Sequence, residues 1–151
     1  MDIPKPLRPL GVTILGAAIV IGAIFALLIG AFSVGVSGLA ADYIVSNQLV
    51  EQSPMLPPEV FTHSFIENVI LFIGVSALFV GVVNLLFAYG LLKGAEWGRL
   101  VVIIFAAIGL IVSILFTVSG GIPFIASALV DGAIIYYLTR PRIVDYFRAP
   151  K

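Results

Sequence analysis

One ionisable side chain, Asp131, lies well inside an apolar segment, "ALVDGAIIYYL". Nine residues separate it from Arg140, or about 13 Å at the helical rise of ~1.5 Å per residue. A charged carboxylate in hydrocarbon is costly, so it must be neutral, paired or in contact with water. Asn84, nine residues before Lys93, is expected at the same depth. Asp131 is therefore a proton- or cation-handling group or a hydrogen-bonded tie to Asn84. We favour the tie, because no second ionisable residue is predicted at that depth.

A second group of polar residues occurs in the stretch "EVFTHSFIE". Glu59, His63 and Glu67 follow one another at intervals of four residues, which places them on one face of a helix. One imidazole and two carboxylates could hold a divalent metal ion. Because such spacing alone is a weak motif, we favour a solvated polar stripe over a metal site.

Small residues recur at intervals of four in two parts of the chain. In membrane proteins such residues let helix backbones approach closely, which predicts helix packing at these positions. We expect the partner to be another helix of the same chain, with a second copy or another protein as the alternative. The residues are Ala18, Gly22, Ala26 and Gly30, followed near the middle of the chain by Gly90, Gly94 and Gly98.

The composition excludes most soluble functions. Of 151 residues, 61% are hydrophobic and 11% are charged, whereas about a quarter are charged in soluble domains. The mean hydropathy of +1.20 is that of an integral membrane protein. The chain has no cysteine, no recognised catalytic or phosphate-binding motif and no basic surface for nucleic acid. We therefore expect a lipid-embedded protein that is not an enzyme and has no cofactor.

Long apolar runs separated by charged or turn-forming residues predict four membrane spans. A helix needs ~20 residues to cross the hydrocarbon core, and all four runs qualify, the last only just. The first is too long for the apolar region of a cleaved signal peptide, so we expect it to remain. The sequence predicts one all-α domain, an antiparallel four-helix transmembrane bundle built from two hairpins. Its spans are residues 10–38, 63–92, 99–118 and 122–139, with an outer loop at 39–58.

The charged residues predict the orientation of these spans. All 8 lysines and arginines fall in segments that four spans place on the same side of the membrane. The connections on the other side carry only acidic charges, among them Asp42 and Glu67. Because basic loops stay in the cytoplasm, both termini are expected to be cytoplasmic, in the cell membrane. The tail after residue 139 is expected to lie at the interface, with Ile143 and Phe147 on lipid.

Three segments resemble a known group of proteins. They are "RPLGVTIL" (Arg8–Leu15), "GLLKGAEWGR" (Gly90–Arg99) and "LTRPRIVDYF" (Leu138–Phe147). Together they are similar to small, uncharacterised four-span membrane proteins of archaea and bacteria. The resemblance implies a four-helix membrane protein and carries over no catalytic residue.

Three alternative functions are consistent with these observations. The first is a non-catalytic structural or accessory protein, either a subunit of a larger membrane complex or a self-assembling bundle. The second is a small transporter or channel that uses Asp131 for protons or cations. The third is binding of a divalent metal ion at the outer face through Glu59, His63 and Glu67. We favour the first, because polar residues at depth are few.

Overall fold

The computed structural model describes residues 7–47, 61–118, 121 and 124–149, and these residues form helices and no strand. The predicted all-α class is thus confirmed for this part of the chain. Three helices are long and apolar enough to cross a membrane, whereas the fourth has 16 residues, or about 24 Å. The helices are α1 (Leu10–Ser46), α2 (His63–Leu92), α3 (Glu96–Val118), α4 (Phe124–Thr139) and α5 (Pro141–Arg148).

The main difference from the predicted boundaries is at the end of α1. The outer loop was predicted at 39–58, but residues 39–46 continue the helix, so the prediction is wrong there. The segment "LAADYIV" contains no helix breaker, and the helix continues past the hydrocarbon thickness to 37 residues, about 55 Å. Residues 48–58 lie outside the described part of the chain. α3 begins at Glu96, three residues before its predicted start, with an acidic side chain at the positive end of the helix.

The C-terminal tail forms a short amphipathic helix, α5. Pro141 occupies its first turn, where the missing N–H has no intrahelical partner to lose. Ile143 and Phe147, one turn apart, are buried in the protein core at 5% and 3% exposure, so they do not lie on lipid as expected. Arg142 and Arg148 remain exposed. α5 therefore attaches to the protein by its apolar face and presents basic side chains outward.

Two compact units divide the chain, and both α1 and α2 pass from one into the other. The first comprises Met1–Ile19 and Leu86–Lys151, and the second comprises Val20–Leu85. In the first unit α3 packs along α4, and α5 contacts both. Its core consists of Val12, Leu91, Val102, Leu138, Ile143 and Phe147.

A glycine-dependent turn joins α2 to α3 in the first unit. Gly94 has a φ of 68°, which an L side chain would strain. Its N–H donates to the carbonyl of Leu91 at 3.0 Å, and the N–H of Ala95 donates to that of Gly90 at 2.9 Å. This is the Schellman arrangement that satisfies the last carbonyls of a helix. A Cβ on Gly98 would collide with the backbone of Gly90. The hairpin therefore closes only with glycine at positions 94 and 98.

The second unit is held by a seam of small residues between antiparallel parts of α1 and α2. Ala23, Gly30 and Ser37, spaced by seven residues, are buried on α1, and Gly74 and Gly81, with the same spacing, are buried on α2. A Cβ built on Gly30 would lie 2.8 Å from the carbonyl oxygen of Gly74. One built on Gly81 would lie 3.1 Å from the carbonyl oxygen of Ala23. Because these glycines carry no side chain, the two backbones come into direct contact at these positions.

The outward faces of the helices are apolar. Within the chain, only 17%, 11% and 17% of the most apolar stretch of α1, α2 and α3 is buried. Large side chains point outward, as Phe72 does at 74% exposure and Phe32 at 70%. In water, surfaces of this extent would aggregate. These apolar helices are those of a multi-pass membrane protein.

Candidate functional site

Asp131 lies in the middle of α4, as the eighth of its 16 residues. Its carboxylate rests on Gly109 of α3, since a Cβ built on that glycine would lie 2.7 Å from Oδ2. A side chain at position 109 would therefore displace the carboxylate. Both residues belong to the first unit, and Asp131 is half-buried. The structure thus brings Asp131 together with the backbone of α3.

The predicted partner of Asp131, Asn84, is half-buried in the part of α2 that belongs to the second unit. The hydrogen bond between Asp131 and Asn84 stays a prediction. The sequence reasoning missed Gly109, although a signal existed. Gly109 lies ten residues after Arg99, and Asp131 lies nine before Arg140. Counting residues from these two arginines therefore places Gly109 and Asp131 at about the same depth in the membrane.

The predicted polar stripe on α2 takes part in a contact between helices of the second unit. His63 Nε2 lies 3.0 Å from Oδ1 of Asp42 on α1, and Nδ1 lies 3.8 Å from Oε2 of Glu67. Glu59, the third member of the predicted stripe, lies outside the described residues. The histidine therefore stands between two carboxylates, one of which the metal hypothesis did not include.

The chemistry open to this histidine is limited by its exposure. The side chains of His63, Asp42 and Glu67 are 44%, 73% and 37% exposed, and pairs at such exposure contribute about 0–1 kcal/mol. Within the described residues, no three His, Asp or Glu side chains are placed to hold a metal ion. The metal site that includes Glu59 stays a prediction. What the geometry supports is a weak, solvent-exposed link between the end of α1 and the start of α2.

A buried arginine at the start of α3 belongs to a group of polar contacts that joins three helices of the first unit. Arg99 is only 5% exposed, and its Nη1 donates to the carbonyl oxygen of Leu138 at 3.3 Å. Its Nη2 lies 3.7 Å from Oε1 of Glu96. The same carboxylate oxygen accepts a hydrogen bond from Nε of Arg148 in α5 at 3.0 Å. Glu96 and Arg99 thus connect the beginning of α3 to the end of α4 and to α5.

The position of Leu138 explains why an arginine suits this contact. The last carbonyls of a helix lack intrahelical partners and lie at its negative end, which favours a cation. The Nε of Arg99 is buried and makes no hydrogen bond to any described residue, so the guanidinium is held only through its terminal nitrogens. Sequence reasoning used Arg99 only as a charge that orients the spans. The spacing of three residues from Glu96 to Arg99 was the available signal of a pair on one helix face.

The predicted helix-packing residues fall into two groups. Gly30 packs against α2, and Gly90 and Gly94 contact the aromatic side chains of Trp97 and Tyr146, respectively. A Cβ on Gly22, in contrast, would meet nothing within 4 Å. Ala18 is exposed and Ala26 is half-buried. The small packing residues that the sequence analysis did not predict include Ala23, Ser37, Gly74, Gly81 and Gly109.

Comparison with known proteins assigns no family or function to these contacts. No protein-family model matches the chain, and neither a curated protein nor a solved structure matches it. The resemblance to small four-span membrane proteins therefore stays a prediction. The polar groups described above must be interpreted from their own contacts.

Proposed function

We propose that this chain is a non-catalytic integral membrane protein that serves as an accessory subunit of a larger membrane complex or assembles with copies of itself. The observation that carries the proposal is the small fraction of each long helix that the chain itself buries, at most 17% of the most apolar stretch. Lipid can cover such faces, but close association with another helix requires small side chains. Gly22 offers this on α1, because the space beside its Cα is open.

The proposal includes a topology of four spans with both termini in the cytoplasm. It is supported by the distribution of charge, since the six basic residues that the structure describes all belong to the first unit. The described residues of the second unit include Asp42 and Glu67 but no lysine or arginine, whereas acidic residues occur in both units. Segregation of this kind is what the retention of basic segments in the cytoplasm produces.

The role of Asp131 bears on the alternative, a small transporter or channel. Transport requires a path of water or polar groups that reaches the carboxylate. The contact of Asp131 with Gly109 is one of close packing between α4 and α3. This packing supports a structural role for Asp131 and, with it, the accessory function.

Cysteine cross-linking in native membranes tests the proposal. The chain contains no cysteine, so a single introduced thiol reports on one position. Gly22→Cys is the test and Gly35→Cys the control, because both glycines lie on α1 with open space around them. Their separation of 13 positions turns the control roughly 140° around the helix from the test position.

We expect Gly22→Cys to form a cross-linked product and Gly35→Cys to form much less. A product of twice the mass of the chain indicates self-assembly, and a heavier or lighter adduct that contains another protein indicates an accessory subunit. A monomer at both positions, together with a monomeric and partner-free particle in mild detergent, would count against the proposal.

A further inference from the structure

An apolar groove runs between α1 and α4 within the first unit. Its volume is about 520 Å³ and its lining is almost wholly hydrocarbon. The lining extends on α1 from Gly11 to Ile19 and on α4 from Tyr137 back to Val130, or roughly 10–12 Å along each helix. A Cβ on Gly11 would overlap the ring of Tyr137, so these residues close the groove at the end nearer the chain terminus. The groove is open along its length to the surroundings of the helices.

A second groove, also of about 520 Å³, lies where α4 meets α5. Its lining includes two arginines and two hydroxyl side chains: Tyr136 and Thr139 precede Arg140, Pro141 and Arg142. The guanidinium of Arg140 lies 4.7 Å from the ring centre of Tyr136, and its Nη2 donates to the Tyr136 hydroxyl at 3.0 Å. These contacts hold the guanidinium group of Arg140 at the mouth of the groove.

The two grooves approach each other on α4. Ala133 lines the apolar groove, and Tyr136 and Arg140 of the basic groove follow it by three and seven residues, so the two linings lie on one face of the helix. Among the residues that the structure describes, neither Arg140 nor Arg142 forms an ion pair with a carboxylate. Hydrocarbon surface therefore adjoins two positive charges that the described chain does not neutralise. An amphiphile with an anionic head matches this combination.

We propose that the two grooves form one binding site for an anionic phospholipid. The phosphate binds Arg140 and Arg142, whose guanidinium groups suit phosphate oxygens, and the first part of an acyl chain fills the apolar groove. Basic pockets between membrane helices are known to hold anionic head groups on the cytoplasmic side. A free phosphate ion would leave the apolar groove unfilled. The inference rests on the proposed placement in the membrane but not on the proposed assembly.

Native mass spectrometry of the full-length protein released from mixed micelles tests the site. The probes are phosphatidylglycerol and phosphatidylcholine with the same acyl chains. We expect the protein to retain phosphatidylglycerol in preference. Arg140→Gln combined with Arg142→Gln should weaken that retention about 30-fold, or ~2 kcal/mol, at ~1 kcal/mol for each arginine near an anionic lipid. Arg148→Gln is the matched control, because Arg148 is an exposed arginine of α5 outside the groove.

A second pair of variants examines the apolar groove. Ala133 lines it, so Ala133→Phe should lower the retention of phosphatidylglycerol about tenfold by filling the space of the acyl chain. Ala126→Phe is the control, since Ala126 is an exposed residue of the same helix outside the lining. Ala133→Phe removes no charge. If the double glutamine variant fails to fold, Ala133→Phe therefore still tests whether phosphatidylglycerol occupies the groove.

Several outcomes would overturn the proposal. They are equal retention of the two lipids by the unmodified protein, unchanged retention after the double substitution, and no effect of Ala133→Phe. Full competition by millimolar inorganic phosphate would show a site for the head group alone, and a second copy of the chain in the groove would exclude lipid. The mass of each complex also gives its oligomeric state, so failure of the lipid site is distinguishable from failure of the proposed assembly.

Discussion

Replacing Gly30 by alanine tests the small-residue seam of the second unit. An alanine Cβ at this position would lie 2.8 Å from the carbonyl oxygen of Gly74 and 2.8 Å from the backbone nitrogen of Leu78. Both contacts are with backbone atoms, so rotation of a side chain cannot relieve them. The two helices must therefore separate or slide by a few tenths of an ångström.

The expected cost follows from two opposing effects. Overpacking a close contact destabilises a protein by about 1–3 kcal/mol, whereas alanine is favoured over glycine in a helix by ~1 kcal/mol. The net loss for Gly30→Ala is thus about 0–2 kcal/mol. Gly35→Ala makes the same change on the same helix in open space. It should therefore gain only the ~1 kcal/mol by which alanine is favoured over glycine in a helix. The free energies of unfolding of the two variants should differ by about 1–3 kcal/mol, with Gly30→Ala the less stable.

Unfolding in mixed micelles of mild detergent and dodecyl sulfate, followed by circular dichroism, measures this difference on the full-length chain. Equal helicity of the variants before unfolding is the control that α1 itself is intact. If the two variants are equally stable, or if Gly35→Ala is the less stable, the direct backbone contact between α1 and α2 does not contribute as described.

Three further substitutions test the polar contacts. Arg99→Met removes the charged donor to the Leu138 carbonyl and should lower the free energy of unfolding by about 1–3 kcal/mol; a variant as stable as the original protein would contradict this. His63→Ala removes only exposed pairs, so the same assay should show a change of less than ~1 kcal/mol. Asp131→Asn keeps the shape that packs on Gly109, and proton or cation flux in reconstituted vesicles should be unchanged; a loss of flux would favour the transporter.

The existence and approximate positions of the long helices could be predicted, because apolar runs separated by charges and turn residues determine them. The end of α1 could not be predicted in the same way. Its predicted end at residue 38 came from assigning residues 39–58 to one breaker-rich outer loop, whereas a helix ends where its backbone meets a breaker or a cap. The continuation through Tyr43 to Ser46 needs only the absence of such a residue.

The seam between α1 and α2 has a different period on α1 from the predicted stripe of small residues. Residues four apart on a helix turn by roughly 40° per step, so a stripe from Ala18 to Gly30 drifts by roughly 120°. Residues seven apart drift by only ~20°, which keeps Ala23, Gly30 and Ser37 facing the same neighbour. Gly30 belongs to both series, and for this reason it is the member of the predicted stripe that contacts α2. The recurrence of small residues at intervals of seven was visible in the sequence and was the better signal.

The basic residues have different contacts in the structure that the sequence could not distinguish. All of them serve equally to predict orientation, but their contacts depend on which helix ends come within reach in the folded chain. Arg99 and Arg148 meet the carboxylate of Glu96, although position 148 is 52 residues away. Arg140 meets the aromatic ring of Tyr136, which orients its guanidinium without reducing its charge.

This contrast bears on the proposed lipid site. An arginine needed only for orientation in the membrane could remain mobile in the head-group region, as long basic side chains do. Arg140 is instead held by a hydrogen bond and by an aromatic face, 4.7 Å from the ring centre. Restricting a side chain before it binds reduces the entropy lost on binding, so the arrangement favours a bound anion over a diffuse counter-ion. Within the first unit Arg99 and Arg148 share the carboxylate of Glu96, whereas Arg140 and Arg142 form no ion pair with any described carboxylate, and their charge is left for a ligand from the membrane.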